Sequence, residues 1–214
     1  MRLDPAGAPF ILGALALAIL SGTAIAWALA IPFVVLGAVF VFFFRDPDRV
    51  SPADEALVVS PADGRVIVAG AALAEAAPAS DAPGGGAWQQ VSIFLSPMDV
   101  HVNRIPVSGR VTRVSYTPGK FLPAYRADAG GVNERSEIWI DHGGQTIVAR
   151  QIVGILARRV VCRAQTGAEV RAGDRFGVMK FGSRMDVFLP ATASIRVKVG
   201  DAVRAGETVI AVLH

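Results

Sequence analysis

The chain has 214 residues, 52% of them hydrophobic, and its mean hydropathy of +0.46 is high for a protein that lies wholly in water. Its net charge of +3 is scattered along the sequence without interleaved aromatic residues, which excludes the usual pattern of a nucleic-acid-binding surface. The single cysteine, Cys162, excludes an internal disulfide and a cysteine metal cluster. Composition therefore favours a protein that lies partly in lipid.

An uncharged segment runs from residue 6 to residue 44. It is nearly twice the roughly 20 residues that one spanning helix needs, so the sequence predicts two close-packed spans with a break between Gly22 and Pro32. The apolar run continues where a cleaved signal peptide would turn polar, which favours a retained anchor. Residues 1–48 are therefore predicted to be an N-terminal helical membrane anchor.

Charges at the two ends of this anchor predict its orientation. Arg2 and Arg45 flank the segment, and no positive charge lies between them. A hairpin of this kind leaves both termini, and the domain that follows, on the cytoplasmic side of the cell inner membrane. The remaining residues, 49–214, are enough for one domain with its own core.

Short segments of alternating apolar and polar residues follow the anchor. They are rich in valine and isoleucine and are separated by glycine, proline or aspartate, which is typical of β-strands. The segments are GRVIVAG (64–70), VSIFL (91–95), RVTRVSYT (110–117), EIWIDH (137–142), TIVARQIVGIL (146–156), SIRVKVG (194–200) and TVIAVL (208–213). Residues 71–88, rich in alanine, proline and glycine, are predicted to form a flexible loop. The domain is thus predicted to be mainly β.

A repeated pattern near the C-terminus refines this fold prediction. EVRAGDRFGVM (169–179) and KVGDAVRAGETVIAV (198–212) both place a Gly-Asp or Gly-Glu turn between valine-rich strands. The pattern resembles the barrel-sandwich modules that carry biotin or lipoate, and the related hybrid β-folds. Lys180 directly follows Met179, as the modified lysine of such modules often follows methionine. A membrane-tethered carrier or adaptor module is therefore one functional hypothesis.

The segment MKFGSRMDVFLP (179–190) supports a different function, because it resembles the cleavage region of phosphatidylserine decarboxylase proenzymes of the short bacterial and archaeal branch. Five other segments agree with this family in order and spacing, so that the resemblance covers about residues 42–212. They are FFRDPDR (43–49), SPADGRV (60–66), FLSPMDVHVNRIPVSGRV (94–111), YTPGKF (116–121) and NERSEIWI (133–140). The long ordered match at 94–111 is far more specific than a Gly-Ser pair, which by itself usually marks a turn.

The resemblance implies self-cleavage between Gly182 and Ser183. In such proenzymes the serine hydroxyl attacks the preceding glycine carbonyl, and the resulting ester is eliminated to dehydroalanine, which hydrolyses to a pyruvoyl group and ammonia. The products would be a heterodimer of a large chain, 1–182, and a small chain, 183–214. Glycine suits the first position because it has no Cβ to obstruct the attack and can adopt the strained backbone geometry that the attack requires.

Two further residues have roles implied by the resemblance: His101 as the base that activates the serine, and Asp63 as the carboxylate that orients this histidine. Among the three histidines only His101 lies in an apolar strand beside an acidic residue, Asp99. Without the family, His101 would be read as a structural histidine and Asp63, in PADG, as a turn residue.

One position departs from the family. Longer members carry a second histidine three residues after the first, where this chain has Arg104. Either His101 serves both self-cleavage and the later proton transfer, or another group takes one of these tasks. Asp99 and Asp186 are open as second acidic groups near the site or as surface and turn residues.

The resemblance also implies the reaction. The pyruvoyl ketone would form a Schiff base with the amine of phosphatidylserine and accept the electrons released as carbon dioxide leaves, giving phosphatidylethanolamine without a metal or dissociable cofactor. An archetidylserine decarboxylase or another pyruvoyl-dependent amino-acid decarboxylase is the nearest enzymatic alternative, although a membrane anchor disfavours a free amino acid as the substrate. The carrier hypothesis gives no reason for the segment 94–111. A zinc peptidase is a further alternative, but the three histidines of this chain do not have the spacing that is usual for zinc ligands.

Overall fold

The computed structural model describes residues 2–73, 76–78, 87–155, 160–180 and 182–214. The chain divides into two compact units, Met1–Asp48 and Arg49–His214.

The first unit is a hairpin of two apolar helices, α1 (Ala8–Ala24) and α2 (Ala30–Phe43), with 3-10 turns at Pro5–Gly7 and Trp27–Leu29. Small residues let the helices approach closely, since a Cβ added to Gly37 would lie 3.7 Å from the Cβ of Ala14. Strands β1 (Arg2–Leu3) and β2 (Arg45–Asp46) pair antiparallel and join the two ends of the hairpin. The start of the chain and the exit from the hairpin therefore lie at the same end of this unit.

One helix in the described part of the chain, Pro5–Ala24, is long and apolar enough to cross a membrane, with 20 residues and a mean hydropathy of 1.8. The second apolar helix, Trp27–Phe43, is shorter. The interruption between them falls within the predicted interval. Two spans stay a prediction, while an apolar N-terminal helical segment is confirmed.

The second unit is built almost entirely of short antiparallel strands. They are β3 (Leu57–Val59), β4 (Gly64–Ala71), β5 (Trp88–Leu95), β6 (Val102–Arg104), β7 (Gly109–Thr117), β8 (Arg135–His142), β9 (Gln145–Ile152), β10 (Val160–Cys162), β11 (Glu169–Val170), β12 (Arg175–Met179), β13 (Ser183–Pro190), β14 (Ser194–Ile195), β15 (Ala202–Val203) and β16 (Val209–Val212). A four-residue helix, α3 (Ala129–Val132), precedes β8. The prediction of a mainly β domain is confirmed.

The described residues of this unit form three sheets. Eight strands pair in the order β11-β7-β8-β9-β13-β5-β4-β15, and two three-stranded sheets have the orders β10-β12-β6 and β14-β16-β3. The main apolar core draws on all three sheets, with Ile93 and Met185 from the large sheet and Met179 and Ile210 from the small ones. A strand of the large sheet can therefore bury one face completely against the small sheets.

Strand β13 occupies the middle of the large sheet between β5 and β9. Its side chains alternate between the two faces, as strand geometry requires. Met185 and Val187 belong to the main core, whereas Phe188 packs with Trp139 on the opposite face. Ser183, two residues before Met185, therefore begins the strand on the face that points into the main core.

Several predicted boundaries differ from the structure. Strand β9 ends at Ile152 rather than continuing to residue 156, and only Ser194–Ile195 of the predicted segment 194–200 is a strand. The predicted loop 71–88 begins and ends in strand residues, and its positions 74–75 and 79–86 lie outside the described residues. Alternation of apolar and polar residues thus predicts where the long strands lie, but it does not predict the residue at which their pairing stops.

Candidate active site

Ser183 is the first residue of β13 and is fully buried. Its Oγ has no hydrogen-bond partner among the residues that the structure describes. Buried hydroxyl groups are normally paired, because an unpaired one loses its hydration without compensation. A buried serine hydroxyl in this state is therefore a candidate reactive group.

The residue before it, Gly182, has a φ of +70°, in the left-handed region that glycine adopts without strain. A Cβ at this position would meet nothing within 4 Å. Backbone conformation, and not lack of space, is therefore what favours glycine here.

Gly154 lies against the carbonyl group of Gly182. A Cβ at position 154 would overlap the carbonyl oxygen of Gly182 and would lie 3.2 Å from its carbonyl carbon. Gly154 follows β9, the neighbour of β13, so sheet pairing brings the two glycines together. Sequence analysis missed Gly154, because no local pattern connects positions so far apart in the chain.

His101 is fully buried immediately before β6. Its backbone carbonyl accepts the N–H of Met179 at 3.2 Å, four residues before Ser183. The loop that leads to His101 begins after Leu95, the residue that pairs with Ser183 across β5 and β13. Both chain segments therefore converge on the same end of β13.

The ring of His101 is oriented by the backbone. Its Nδ1 lies 3.0 Å from the carbonyl oxygen of Asp99. With Nδ1–H as the donor in this bond, Nε2 is the basic nitrogen of the neutral ring. The carboxylate of Asp99 has another task, since its Oδ2 accepts both the N–H and the hydroxyl of Ser96 at 2.8 Å. Of the two roles left open for Asp99, the geometry favours the turn.

Asp63 lies in the loop between β3 and β4. Its Oδ1 accepts the N–H of Ala205 at 2.7 Å, and its Oδ2 accepts Nη2 of Arg49 at 2.9 Å. Burial raises the pKa of the Asp63 carboxyl above its ordinary value of 3.8, and the Asp99 carboxylate adds to this, against the lowering by Ala205 and Arg49. The orienting role of Asp63 stays a prediction.

The loop that carries Asp63 is tied to the strand after His101. The backbone N–H of Arg104 donates to the carbonyl of Pro61 at 2.9 Å. The buried side chain of Arg104 donates from Nη1 to the carbonyl of Gly173, also at 2.9 Å. At the position of the second family histidine, this chain therefore has a cation that bonds to backbone.

Directly after Ser183, the opposite face of β13 carries a buried ion pair. Arg184 donates from Nε to Oδ1 of Asp186 at 2.6 Å and from Nη2 to Oδ2 at 3.0 Å. The same guanidinium donates to Ser92 Oγ at 3.1 Å and to the carbonyl of Arg126 at 3.2 Å. Asp186, which the sequence left open, is thus the buried partner of Arg184.

An apolar cleft of about 420 Å³ opens beside Gly182. Tyr125 and Ile155 at its edge are 65% and 56% exposed. The lining residues are Phe94, Pro97, Pro123, Ala124, Tyr125, Ile155 and Gly182. The cleft is therefore open and can accept an apolar group.

Lys180 does not have the setting of a carrier lysine. It follows β12, which pairs with β6 and β10, and precedes β13, which pairs with β5 and β9. It therefore lies in a connection between two sheets and not at a hairpin tip, and the structure does not support the carrier hypothesis. Among the described residues, no group of three or more histidine, cysteine or acidic side chains is placed to hold a metal ion.

Comparison with known proteins gives consistent results. The sequence profile of a family described as phosphatidylserine decarboxylase matches residues 36–211. The phosphatidylserine decarboxylase proenzyme of Chlorobium chlorochromatii is 46% identical over 193 residues, covering 86% of this chain and 88% of that protein. The protein of the same name from Pelodictyon phaeoclathratiforme is 43% identical over 171 residues, covering 80% and 77%.

Proposed function

This chain belongs to the phosphatidylserine decarboxylase family, and on that premise we propose that it converts phosphatidylserine to phosphatidylethanolamine and carbon dioxide, using a pyruvoyl group made from its own Ser183. The observation that carries the proposal is the buried Ser183 hydroxyl, which has no hydrogen-bond partner within the described residues and directly follows a glycine with a φ of +70°. This arrangement supports the serine as the internal nucleophile.

Self-processing begins when Ser183 Oγ adds to the carbonyl carbon of Gly182. His101, through Nε2, takes the hydroxyl proton and returns it to the Ser183 nitrogen as the C–N bond breaks, which leaves an ester. Removal of the Ser183 α-proton then breaks the Cβ–Oγ bond and releases the Gly182 carboxylate. Water converts the remaining dehydroalanine, through its imine, to a ketone and ammonia.

The residues present fit the group that this sequence of steps produces. Ser183 lies where β13 is held on both sides, by β5 and by β9. The chain ends created at Gly182 and Ser183 would therefore remain in one folded unit as the chains 1–182 and 183–214. Once formed, the pyruvoyl group supplies a ketone that takes up the substrate amine and accepts the electrons released by decarboxylation.

Two features suit a phospholipid substrate. The apolar cleft beside Gly182 offers a place for part of an acyl chain of the lipid. The apolar helix Pro5–Ala24 can hold the protein at the bilayer, where a lipid with two acyl chains stays. We place the catalytic domain on the cytoplasmic side of the inner membrane, from the charges at Arg2 and Arg45.

Intact mass spectrometry of the denatured full-length protein tests self-processing. The expected result is two chains divided after Gly182, the small one lighter by one ammonia than a peptide that starts with serine. Ser183→Ala should remain whole, and Ser115→Ala, which alters another strand serine, should divide normally. An active preparation that consists of uncut chain would contradict the proposal.

The substrate is tested on the processed protein in lipid–detergent micelles. We expect release of carbon dioxide from phosphatidylserine and much less from free serine, which lacks the apolar part. Comparable or faster release from archetidylserine would assign the enzyme to that alternative substrate.

A further inference from the structure

Two buried amide side chains lie between the sheets on the Ser183 side of β13. Gln151 of β9 belongs to the large sheet, and Asn103 of β6 belongs to a small one. Nε2 of Gln151 donates to Oδ1 of Asn103 at 2.8 Å, and both residues are fully buried. This hydrogen bond therefore crosses the interior of the domain.

Sheet register places Gln151 next to Ser183. Gln151 pairs with Met185, and Ser183 is two residues before Met185 on the same face of β13. Diagonal neighbours of this kind are within reach of a long side chain. Asn103, which Gln151 holds, is two residues after His101 along the chain. The amides, the serine and the histidine thus come from adjoining positions at one end of the interior.

Each amide has one polar atom without a partner. Nδ2 of Asn103 and Oε1 of Gln151, like Ser183 Oγ, make no hydrogen bond within the described part of the chain. An apolar pair of similar volume would avoid the cost of burying these atoms. The amides are therefore poorly explained as packing residues.

The glycine opposite Asn103 makes room for the amide of Gln151. Gly177 pairs with Asn103 across β12 and β6. A Cβ at Gly177 would lie 2.7 Å from Nε2 of Gln151 and would overlap the carbonyl oxygen of Val161. The absence of a side chain at Gly177 in β12 therefore leaves the space that the Gln151 amide occupies.

We propose that Asn103 and Gln151 are positioning residues for self-cleavage at Ser183, an inference that rests on the proposed function. The hydrogen bond from Gln151 Nε2 to Asn103 Oδ1 fixes the orientation of the Asn103 amide. Because Oδ1 already accepts this bond, Nδ2 is the atom of the amide that can donate to another group. When the serine reacts, Nδ2–H moves into donating distance of a lone pair of Ser183 Oγ, which has no partner among the described residues, and directs the hydroxyl proton towards His101. The amide pair holds the nucleophile but exchanges no proton itself.

The test follows self-cleavage of the full-length protein over time after synthesis, by the appearance of the two chains on a denaturing gel. Asn103→Leu and Gln151→Met should each slow cleavage by about ten-fold or more, the effect of one lost hydrogen bond to the reacting group. Gln90→Met is the matched control, because Gln90 is also a buried glutamine beside β13 but contacts Ser92 and Asp186 on the other face. Self-cleavage of the Gln90→Met protein should be slowed much less than that of Asn103→Leu or Gln151→Met.

The double variant Asn103→Leu/Gln151→Met separates positioning from stability. It removes the amide atoms that have no partner among the described residues, so the melting temperature of its uncut chain should equal or exceed that of the uncut Ser183→Ala protein. Hydroxylamine, which cleaves esters, should not restore fast cutting, because formation of the ester is the step that is slowed and the ester does not accumulate. A folded double variant that cuts at the original rate, one that fails to fold, or one that hydroxylamine cleaves rapidly would overturn the inference. Absence of cutting in the original protein would instead contradict the proposed function.

Discussion

Arg184 and Asp186 form two hydrogen bonds, of 2.6 and 3.0 Å, two and four residues after Gly182 in the chain. Both side chains are almost completely buried, at 3% and 0% exposure. The pair therefore fixes the start of β13 from the face opposite the Ser183 side chain. It also bonds to the carbonyl of Arg126, in the segment that contributes Tyr125 to the cleft.

Removing one partner of this pair should destabilise the domain strongly. Arg184→Met leaves a buried carboxylate without its cation, and such losses cost roughly 3–5 kcal/mol. Arg126→Met is the control, because its ion pair with Asp128 is about half exposed, and such pairs contribute about 0–1 kcal/mol. Urea unfolding of the detergent-solubilised proteins measures the difference. Equal stabilities of the two variants would show that the buried pair does not hold the strand.

Gly154→Ala should slow self-cleavage, because the new Cβ would overlap the carbonyl oxygen of Gly182 and displace the bond to be broken. A loss of at least about 100-fold is expected, since small misplacements of reacting groups cost this much. Gly13→Ala is the control, because a Cβ there meets nothing within 4 Å and its φ is not positive. The fraction of cut chain, measured over time, gives the result. Normal cutting in Gly154→Ala would show that the carbonyl tolerates the shift.

How much of this site could be predicted depends on the range of the interactions. The main strands follow from period-two alternation, and Gly182 and Ser183 are adjacent in a recognisable segment. Gly154 and Gln151 meet the 182–185 segment only through the register of β9 and β13, which no local pattern specifies. Arg184, in turn, looks like an ordinary surface charge until its partners are known. The contacts of Asp63 with Arg49 and Ala205 likewise depend on tertiary packing.

The raised pKa of Asp63 predicts a pH dependence of stability. Burial favours the protonated carboxyl in the folded state, whereas in the unfolded chain the group ionises near its ordinary value of 3.8. Between pH 3.8 and the higher pKa of the folded state, the folded state therefore binds more protons than the unfolded chain. The free energy of unfolding falls as the pH rises through this window. Asp63→Asn lacks this contribution. We expect the melting temperature of the original protein, relative to the variant, to decrease from pH 3.5 upwards until the folded carboxyl is ionised. A difference that stays constant or increases over this range would contradict the shift.

The apolar cleft predicts which variants affect the lipid and which affect self-cleavage. Ile155 lines the cleft and is 56% exposed, so Ile155→Asn should fold normally while making the cleft polar. Self-cleavage should be unchanged, because the side chain is altered without a change at Gly182 or Ser183. The value of kcat/KM for long-chain phosphatidylserine should fall by about ten-fold, since loss of one apolar contact of this size costs about 1–3 kcal/mol.

A short-chain phosphatidylserine distinguishes contact with the acyl region from a general loss of activity. It has less apolar surface to place in the cleft, so Ile155→Asn should reduce its kcat/KM much less. Val199→Asn provides the control for a polar substitution at an exposed valine, 62% accessible and outside the cleft. It should leave both substrates unaffected. An equal loss for long and short chains in Ile155→Asn would show that the cleft does not contact the acyl region, because only binding along the chain makes the loss depend on its length.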